Sequence, residues 1–198
     1  MAIAAGSPAG CADRPQEPAE AHPTATATAL ATASSAAPQP DTELTWVVPA
    51  GWTTEKVADR GLYRAKYTMA PVGNDKERAE TLVRYLGRES QVDPQTELRK
   101  WMAEFDGDVG ATAKREQLLV HEVRIELAEV AGTYKVGMGP PMGPKGKYAA
   151  YVVKEGWRSL AAIAVAPGKG VWFFRLVGPD ETVQAARSEL LGLLRTLQ

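Results

Sequence analysis

The chain has 198 residues, of which 44% are hydrophobic and 24% charged, as in an ordinary globular protein. Its formal net charge is −1, and no basic stripe with interleaved aromatic residues appears, so we predict that it does not bind nucleic acid. The single cysteine excludes an internal disulfide and leaves no second thiol for a metal site. The sequence has no stretch of about 20 apolar residues, so we predict no transmembrane helix.

The segment 1–11 ends in a cysteine that is preceded by small residues. Ser7-Pro8-Ala9-Gly10 leads into Cys11, which resembles the end of a bacterial lipoprotein signal, although Pro8 stands where an aliphatic residue is usual. Because no basic region and no long apolar run precede Cys11, we expect translation to start upstream. Residues 1–11 are then the remnant of a signal, Cys11 is lipidated, and the protein is lipid-anchored or periplasmic in a bacterial cell envelope. If Met1 is the true start, Cys11 is an ordinary thiol and the protein is cytoplasmic.

Residues 12–43 are predicted to form a disordered tether rich in Ala, Thr and Pro. They include no aromatic residue, and Leu30 is their only apolar side chain larger than alanine, so burial cannot offset the entropy lost on ordering. The leader through Glu43 has a charge balance of −4, against +3 for the rest of the chain. As a coil it spans about 30 Å, which suits holding a domain off a membrane surface.

From residue 44 onward the pattern predicts one folded domain, 44–198, made mainly of strands. Alternating or continuous apolar runs predict strands at 46–49, 62–69, 79–86, 118–127 with a continuation to Tyr134, 158–166 and 171–177. The last two are predicted to form a hairpin through residues 167–170. The final strand is apolar on both faces, as is typical of a central strand.

Two helices are predicted in the same domain. Asp93 is the N-cap of the first helix, with Pro94 at its first position, and Gly107 ends the helix. The second helix begins after Pro179, with acidic residues near its positive end. We assign both apolar stripes to the core; they are Leu98, Trp101, Met102 and Phe105 in the first helix, and Val183, Ala186, Leu190, Leu193, Leu194 and Leu197 in the second.

The folded part is similar to bacterial PsbP-like domains. The similarity is carried by residues 51–52, 63–67, 79–87, Trp101 with Phe105, 132–134, and 173–179 before the final helix. It implies an α+β fold, in which a central antiparallel sheet is flanked by helices on both faces as an α/β/α sandwich. It also implies a non-catalytic accessory or binding role, often in exported lipoproteins, and brings no catalytic residue with it.

The residues themselves predict no active site. His121 is the only histidine after residue 43 and stands next to Glu122, without a nucleophile motif such as G-x-S-x-G. Ser90 or Ser159 could approach it only through the fold, and we interpret His121 as a strand residue facing solvent or a carboxylate. Residues 106–108 lack the ligand series of a calcium loop. We therefore predict no enzyme, no metal and no cofactor.

A loop rich in glycine and proline, residues 137–147, is the candidate site for a partner. Its lysines do not make a phosphate loop, because three prolines remove backbone donors and Lys147 is followed by Tyr148 instead of Ser or Thr. Two methionines without a third soft ligand do not predict a copper site. The loop is either a mobile connection without a role or a partner-binding loop, whose contacts would be Met138, Met142, Lys145, Lys147 and Tyr148.

The sequence thus predicts a monomeric, non-catalytic accessory or binding domain tethered to a bacterial membrane surface through its lipid anchor alone. The expected partner is a protein or another envelope component. A first alternative is a carrier of a small ligand or lipid, with a pocket between sheet and helix lined by Trp101, Phe105 or Trp172. A second alternative is a hydrolase, which requires His121 in a cleft beside a serine hydroxyl and a carboxylate.

Overall fold

The computed structural model describes residues 43–58, 63–88, 90–138 and 150–198. All of them belong to the second of the two units of the chain, Gln39–Gln198. Cys11 and residues 12–42 of the predicted tether lie outside the described residues, as do four of the residues proposed for the partner-binding loop: Met142, Lys145, Lys147 and Tyr148. The predictions made for these residues stay predictions.

Seven antiparallel strands form one sheet in the described part of the chain. They are β1 Thr53–Glu55, β2 Tyr63–Met69, β3 Ala79–Gly87, β4 Lys114–Val120, β5 Val123–Met138, β6 Ala150–Ala166 and β7 Gly170–Pro179. Their order across the sheet is β1-β2-β3-β7-β6-β5-β4. The helices are α1 Pro94–Met102, α2 Val109–Thr112 and α3 Asp180–Arg195.

Local signals predicted most of these elements correctly. Strands β2, β3, β6 and β7 and helices α1 and α3 are confirmed, with some ends shifted. Asp93 caps α1, because its carboxylate accepts hydrogen bonds from the backbone N–H groups of Gln95 and Thr96. The strand predicted at 46–49 is wrong: this segment is irregular, and the Trp46 ring packs edge-on against Trp172 at 5.8 Å.

The strand predicted at 118–127 is two strands. His121 and Glu122 form the turn between β4 and β5, and Val120 pairs directly with Val123. His121 has a φ of 52°, the left-handed conformation that a two-residue hairpin turn requires. The turn was missed because the apolar alternation continues through it and neither turn residue is glycine, asparagine or aspartate.

Two apolar clusters lie on opposite faces of the sheet, because successive side chains of a strand point to opposite sides. On the first, which we call face A, α3 packs against β6 and β7. On the second, face B, α1 packs mainly against β5 and β6. The side chains of β7 divide between them: Trp172, Phe174 and Leu176 on face A, and Val171, Phe173 and Val177 on face B.

The predicted α+β sandwich with helices flanking both faces is wrong, because three short helices cover only part of a large sheet. Strands account for 50% of the described residues and helices for 21%, so the fold is β-rich. On face B, strands β1 to β3 carry charged side chains, and Lys66 forms ion pairs with Glu55 at 3.3 Å and with Glu80 at 3.1 Å. Such a polar strand surface needs no covering helix. The sequence pattern identified the helices but underestimated the length of the strands.

Strands β5 and β6 extend beyond the end of β7. The β6–β7 ladder ends at Trp157 paired with Pro179, whereas the β5–β6 ladder continues to Met138 paired with Ala150. Residues 132–138 and 150–156 therefore continue past β7 as a pair of strands, which we call the arm, and Phe105 forms a bridge with Tyr134 at its base. The register shifts between Gly132 and Tyr134, as at a β-bulge that bends a strand. Gly137 and Met138, predicted to lie in a loop, thus end a strand.

The beginning and the end of the described domain are hydrogen-bonded to each other at the end of the sheet opposite the arm. The backbone groups of Thr45 and Gln198 exchange hydrogen bonds of 3.0 and 3.2 Å. Nearby, the Lys169 ammonium donates to the backbone carbonyl of Glu43 at 3.5 Å, and Lys169 lies in the turn from β6 to β7. The chain therefore enters the domain at residue 43, at one end of the strands, and the arm projects from the other end.

Candidate functional site

A groove with a volume of about 1520 Å³ lies on face B beside the end of α1. One side is formed by the end of α1 and the segment after it, the other by β2 and β3, and the far end by the arm. We call it the groove. Its described lining residues are Tyr63, Leu82, Lys100, Ala103, Glu104, Asp106, Tyr134, Lys135, Val136, Gly137, Tyr151, Val153 and Arg175.

Strand register shows that the groove is elongated. Tyr63 pairs with Arg84 of β3, which pairs with Phe173 of β7, and Phe173 pairs with Ile163 of β6. Tyr63 and Ile163 therefore lie in one row across the sheet. Ile163 and Tyr151 are twelve residues apart along β6, which is at most about 40 Å in an extended strand. Pockets for small ligands usually have volumes of about 300–1,000 Å³, so the groove is longer and larger than such a site requires.

Arg175 of β7 lies in the groove between two aromatic rings. Its guanidinium carbon is 5.6 Å from the centre of the Trp101 ring and 5.5 Å from that of Tyr134, within the range of cation–π attraction. Nη2 donates to the carboxylate of Glu104 at 2.5 Å, and Nε donates to the hydroxyl of Ser159 at 3.4 Å. These contacts fix the orientation of the Arg175 guanidinium, and 14% of the Arg175 side chain is exposed.

Tyr134 links this arginine to the arm. Its ring stacks on Trp157 at 5.5 Å with an interplanar angle of 13°. Burial raises the pKa of Tyr134 to about 12, although the charge of Arg175 opposes the shift. Because the folded pKa lies above the ordinary value of 10.0, the neutral phenol stabilises the fold below pH 10, and this contribution is lost as the pH rises through about 12.

The cations that line the groove are each paired with a nearby carboxylate. Lys135 forms an ion pair with Asp106, Arg175 with Glu104, and Lys100 with Glu97 of the same helix. Exposed ion pairs of this kind contribute about 0–1 kcal/mol, so the lysines can exchange their partners at little cost. The described lining carries three basic and two acidic side chains, and Glu97 beside it balances the third cation.

Exposed apolar residues are clustered on the arm, and one more, Tyr63, lies at the other end of the groove. The described residues include eight large hydrophobic ones that are exposed, and five of these lie here, with 38–52% of their surface accessible: Tyr63, Met138, Tyr151, Val152 and Val153. Scattered single exposures are ordinary, whereas a cluster marks a surface that binds something. The groove therefore combines an apolar surface with a fixed arginine.

Of the predicted partner-binding residues, Met138 is the one described, and it ends β5 next to groove residues Val136 and Gly137. Tyr63, Arg175 and Val153 were missed because they come from three distant strands. One signal was present in the sequence: Arg175 is the only charged residue in the otherwise apolar run 171–177.

The three aromatic residues proposed for a ligand pocket do not share one. Trp172 lies on face A and is 1% exposed, with its ring 4.5 Å from that of Tyr85. Phe105 and Trp101 lie on face B, where Trp101 packs against Phe173 at 5.1 Å. None of the three is among the described lining residues of the groove.

The structure does not bring His121 and Ser159 together. His121 is exposed in the β4–β5 turn, whereas Ser159 is 2% exposed and pairs with Val130 in the β5–β6 ladder. Val130 is seven residues beyond Val123, the first residue after the turn, or about 23 Å along the strand. The hydroxyl of Ser90 accepts a hydrogen bond from the backbone N–H of Val92 at 3.4 Å.

No protein-family model and no curated protein matches the chain. Within residues 43–58, 63–88, 90–138 and 150–198, no three His, Cys, Asp or Glu side chains are grouped so that they could hold a metal ion. The helices in these ranges are too short or too polar to cross a bilayer.

Proposed function

We propose that the chain is a non-catalytic accessory domain that binds a segment of a partner protein in the groove. The observation that supports this proposal is the elongated shape of the groove, together with its exposed apolar residues and the fixed Arg175. Tyrosine, tryptophan and arginine are the residue types that contribute most to binding at protein interfaces. A relationship to bacterial PsbP-like domains stays part of this proposal, on the sequence motifs alone.

We further propose that a lipid on Cys11 tethers the domain to a bacterial membrane. Glu43, where residues 12–43 join the domain, lies beside Lys169, whereas the arm projects from the other end of the strands. A tether attached at residue 43 therefore leaves the arm at the end of the domain farthest from the attachment point. This arrangement favours capture of a partner away from the membrane surface.

Site-specific photocrosslinking in the native host tests the groove. We expect a photoreactive benzoylphenylalanine at Val153 in the groove to give an adduct of one defined mass on irradiation. The matched control is the same residue at Leu119, which is 74% exposed on β4 and does not line the groove. The absence of an adduct at Val153, or the same adducts at both positions, would contradict a partner in the groove.

Fractionation of the same cells tests the tether. We expect the wild-type protein in the membrane fraction, with the mass of a lipid on Cys11, and a Cys11→Ser variant in the soluble fraction, because a lipid with more than one acyl chain anchors a protein stably. An unmodified Cys11 on a soluble wild-type protein would rule out the tether. It would leave the groove and its partner untouched.

A further inference from the structure

We propose, resting on the function proposed above, that the partner's segment binds as an added β-strand along the arm. Its position would be the edge of β6 that β7 leaves unpaired, in line with β7 and leading into the groove. The groove would then bind side chains of the segment, and the backbone of β6 would bind its backbone. Strand addition to an exposed sheet edge is a recurrent mode of peptide recognition.

Ladder pairing identifies this edge. Val152, Val153 and Lys154 pair with Val136, Lys135 and Tyr134 of β5 on one side. On the other side, pairing with β7 begins only at Trp157, and in the part of the chain that the structure describes no strand lies against residues 152–156 on that side. Such an edge offers backbone N–H and C=O groups to an extended chain.

The two outer edges of the sheet are less suited to strand addition than the apolar part of the arm edge, Val152 and Val153. Strand β1 has only three residues, and β4 begins with exposed charged residues, Lys114–Glu116; a short strand and charges are both features that discourage pairing. In the arm, Val152 and Val153 are exposed. The charges at this edge are Lys154, whose ammonium is paired with Glu77 at 2.6 Å, and the exposed Glu155.

The size of the edge favours a partner segment over a second copy of the chain. A symmetric pairing of two arms would use only residues 152–156 of each copy, against roughly 20–30 residues a side in a standard protein interface. A segment that continues from the edge into the groove contacts many more residues. Since Lys100 and Lys135 can exchange their present carboxylate partners for those of a bound segment at little cost, we infer an extended segment in which apolar and acidic residues alternate.

Fluorescence anisotropy with the full 198-residue chain and a labelled decapeptide of alternating valine and glutamate tests this proposal. We expect saturable binding, weakened about tenfold or more when alternate backbone nitrogens of the peptide are methylated, because ladder hydrogen bonds are lost. A Val153→Lys variant should lose about tenfold in affinity, and the matched Leu119→Lys variant should bind like the wild type. A valine–lysine decapeptide should bind about tenfold more weakly.

Equal binding of the methylated and unmodified peptides would overturn strand addition, as would full affinity in a Val153→Lys variant whose circular dichroism spectrum is unchanged. No binding of the valine–glutamate peptide would also overturn it. A dimer that Val153→Lys converts to a monomer in ultracentrifugation, without peptide binding, would assign the edge to a second copy. The proposed function fails separately, through loss of the specific photocrosslink at Val153.

Discussion

Replacement of Phe174 by alanine is expected to lower the free energy of unfolding by about 3–5 kcal/mol, the usual cost of removing a buried aromatic side chain. Phe174 is 0% exposed and lies on the central strand β7, between Val83 of β3 and Ala162 of β6. Its ring meets the edge of Trp46 at 5.3 Å. The cavity left behind cannot close easily, because the sheet holds its surroundings on both sides.

Urea unfolding followed by tryptophan fluorescence measures this loss. The matched control is Leu119→Ala on the exposed edge strand β4, which should change the free energy of unfolding by no more than about 0.5 kcal/mol. A loss below about 1 kcal/mol for Phe174→Ala, with an unchanged urea slope, would contradict the core position of this residue.

Replacement of Glu129 by glutamine is expected to cost about 2 kcal/mol, because it removes the buried charge that two arginines share, while Arg158 keeps Asp180 and Arg187 keeps Glu116. Glu129 is 6% exposed on face A of β5. It accepts hydrogen bonds from Arg158 of β6 and, at 3.1 Å, from Arg187 of α3. Arg158 also binds Asp180 at the start of α3, at 2.7 Å. The carboxylate therefore ties α3 to the sheet.

Glu129 also makes the free energy of unfolding depend on pH. Burial alone would raise the pKa of Glu129, but hydrogen bonds and charge from Arg187 and Arg158 outweigh it and hold the pKa below the ordinary 4.5. Because the pKa of Glu129 is lower in the folded state than in the unfolded state, its carboxylate stabilises the fold fully at pH values above the unfolded pKa. This stabilisation is lost as the pH falls through the folded pKa.

Urea midpoints measured between about pH 7 and about pH 3 test this dependence. The gap between the wild type and Glu129→Gln should be widest near neutral pH and should narrow in acid, since protonation makes the wild-type side chain neutral as well. Glu155→Gln, at an exposed position of β6, is the matched control and should follow the wild type throughout. A gap that does not change with pH would refute the role assigned to the Glu129 charge.

Local chemistry made the helices and the inner strands predictable. Helix α1 begins where Asp93 can cap it and Pro94 can open it, and β7 is recognisable as a continuous apolar run. The arm was not predictable in this way. Its strands include Gly132, Gly137 and Gly156, residues with low strand propensity, and they are held in place by pairing with each other.

The groove could not be read from the sequence, because its residues are neighbours only in the folded sheet. Tyr63 and Arg175 reach it through the β2–β3–β7 register, and Val153 reaches it through the extension of β6 past β7. Arg175 stood out as a charge in an apolar strand, but its aromatic neighbours Trp101 and Tyr134 come from α1 and β5. No local pattern shows that these three residues meet.

The sequence by itself determined where the strands alternate, where the two longer helices begin, and which side chains are apolar enough to form a core, because these properties depend on near neighbours in the chain. Only the tertiary structure decided the strand order, the open part of face B, the arm and the groove. Those features follow from pairing between residues far apart in the chain, for which a single sequence carries no periodic signal.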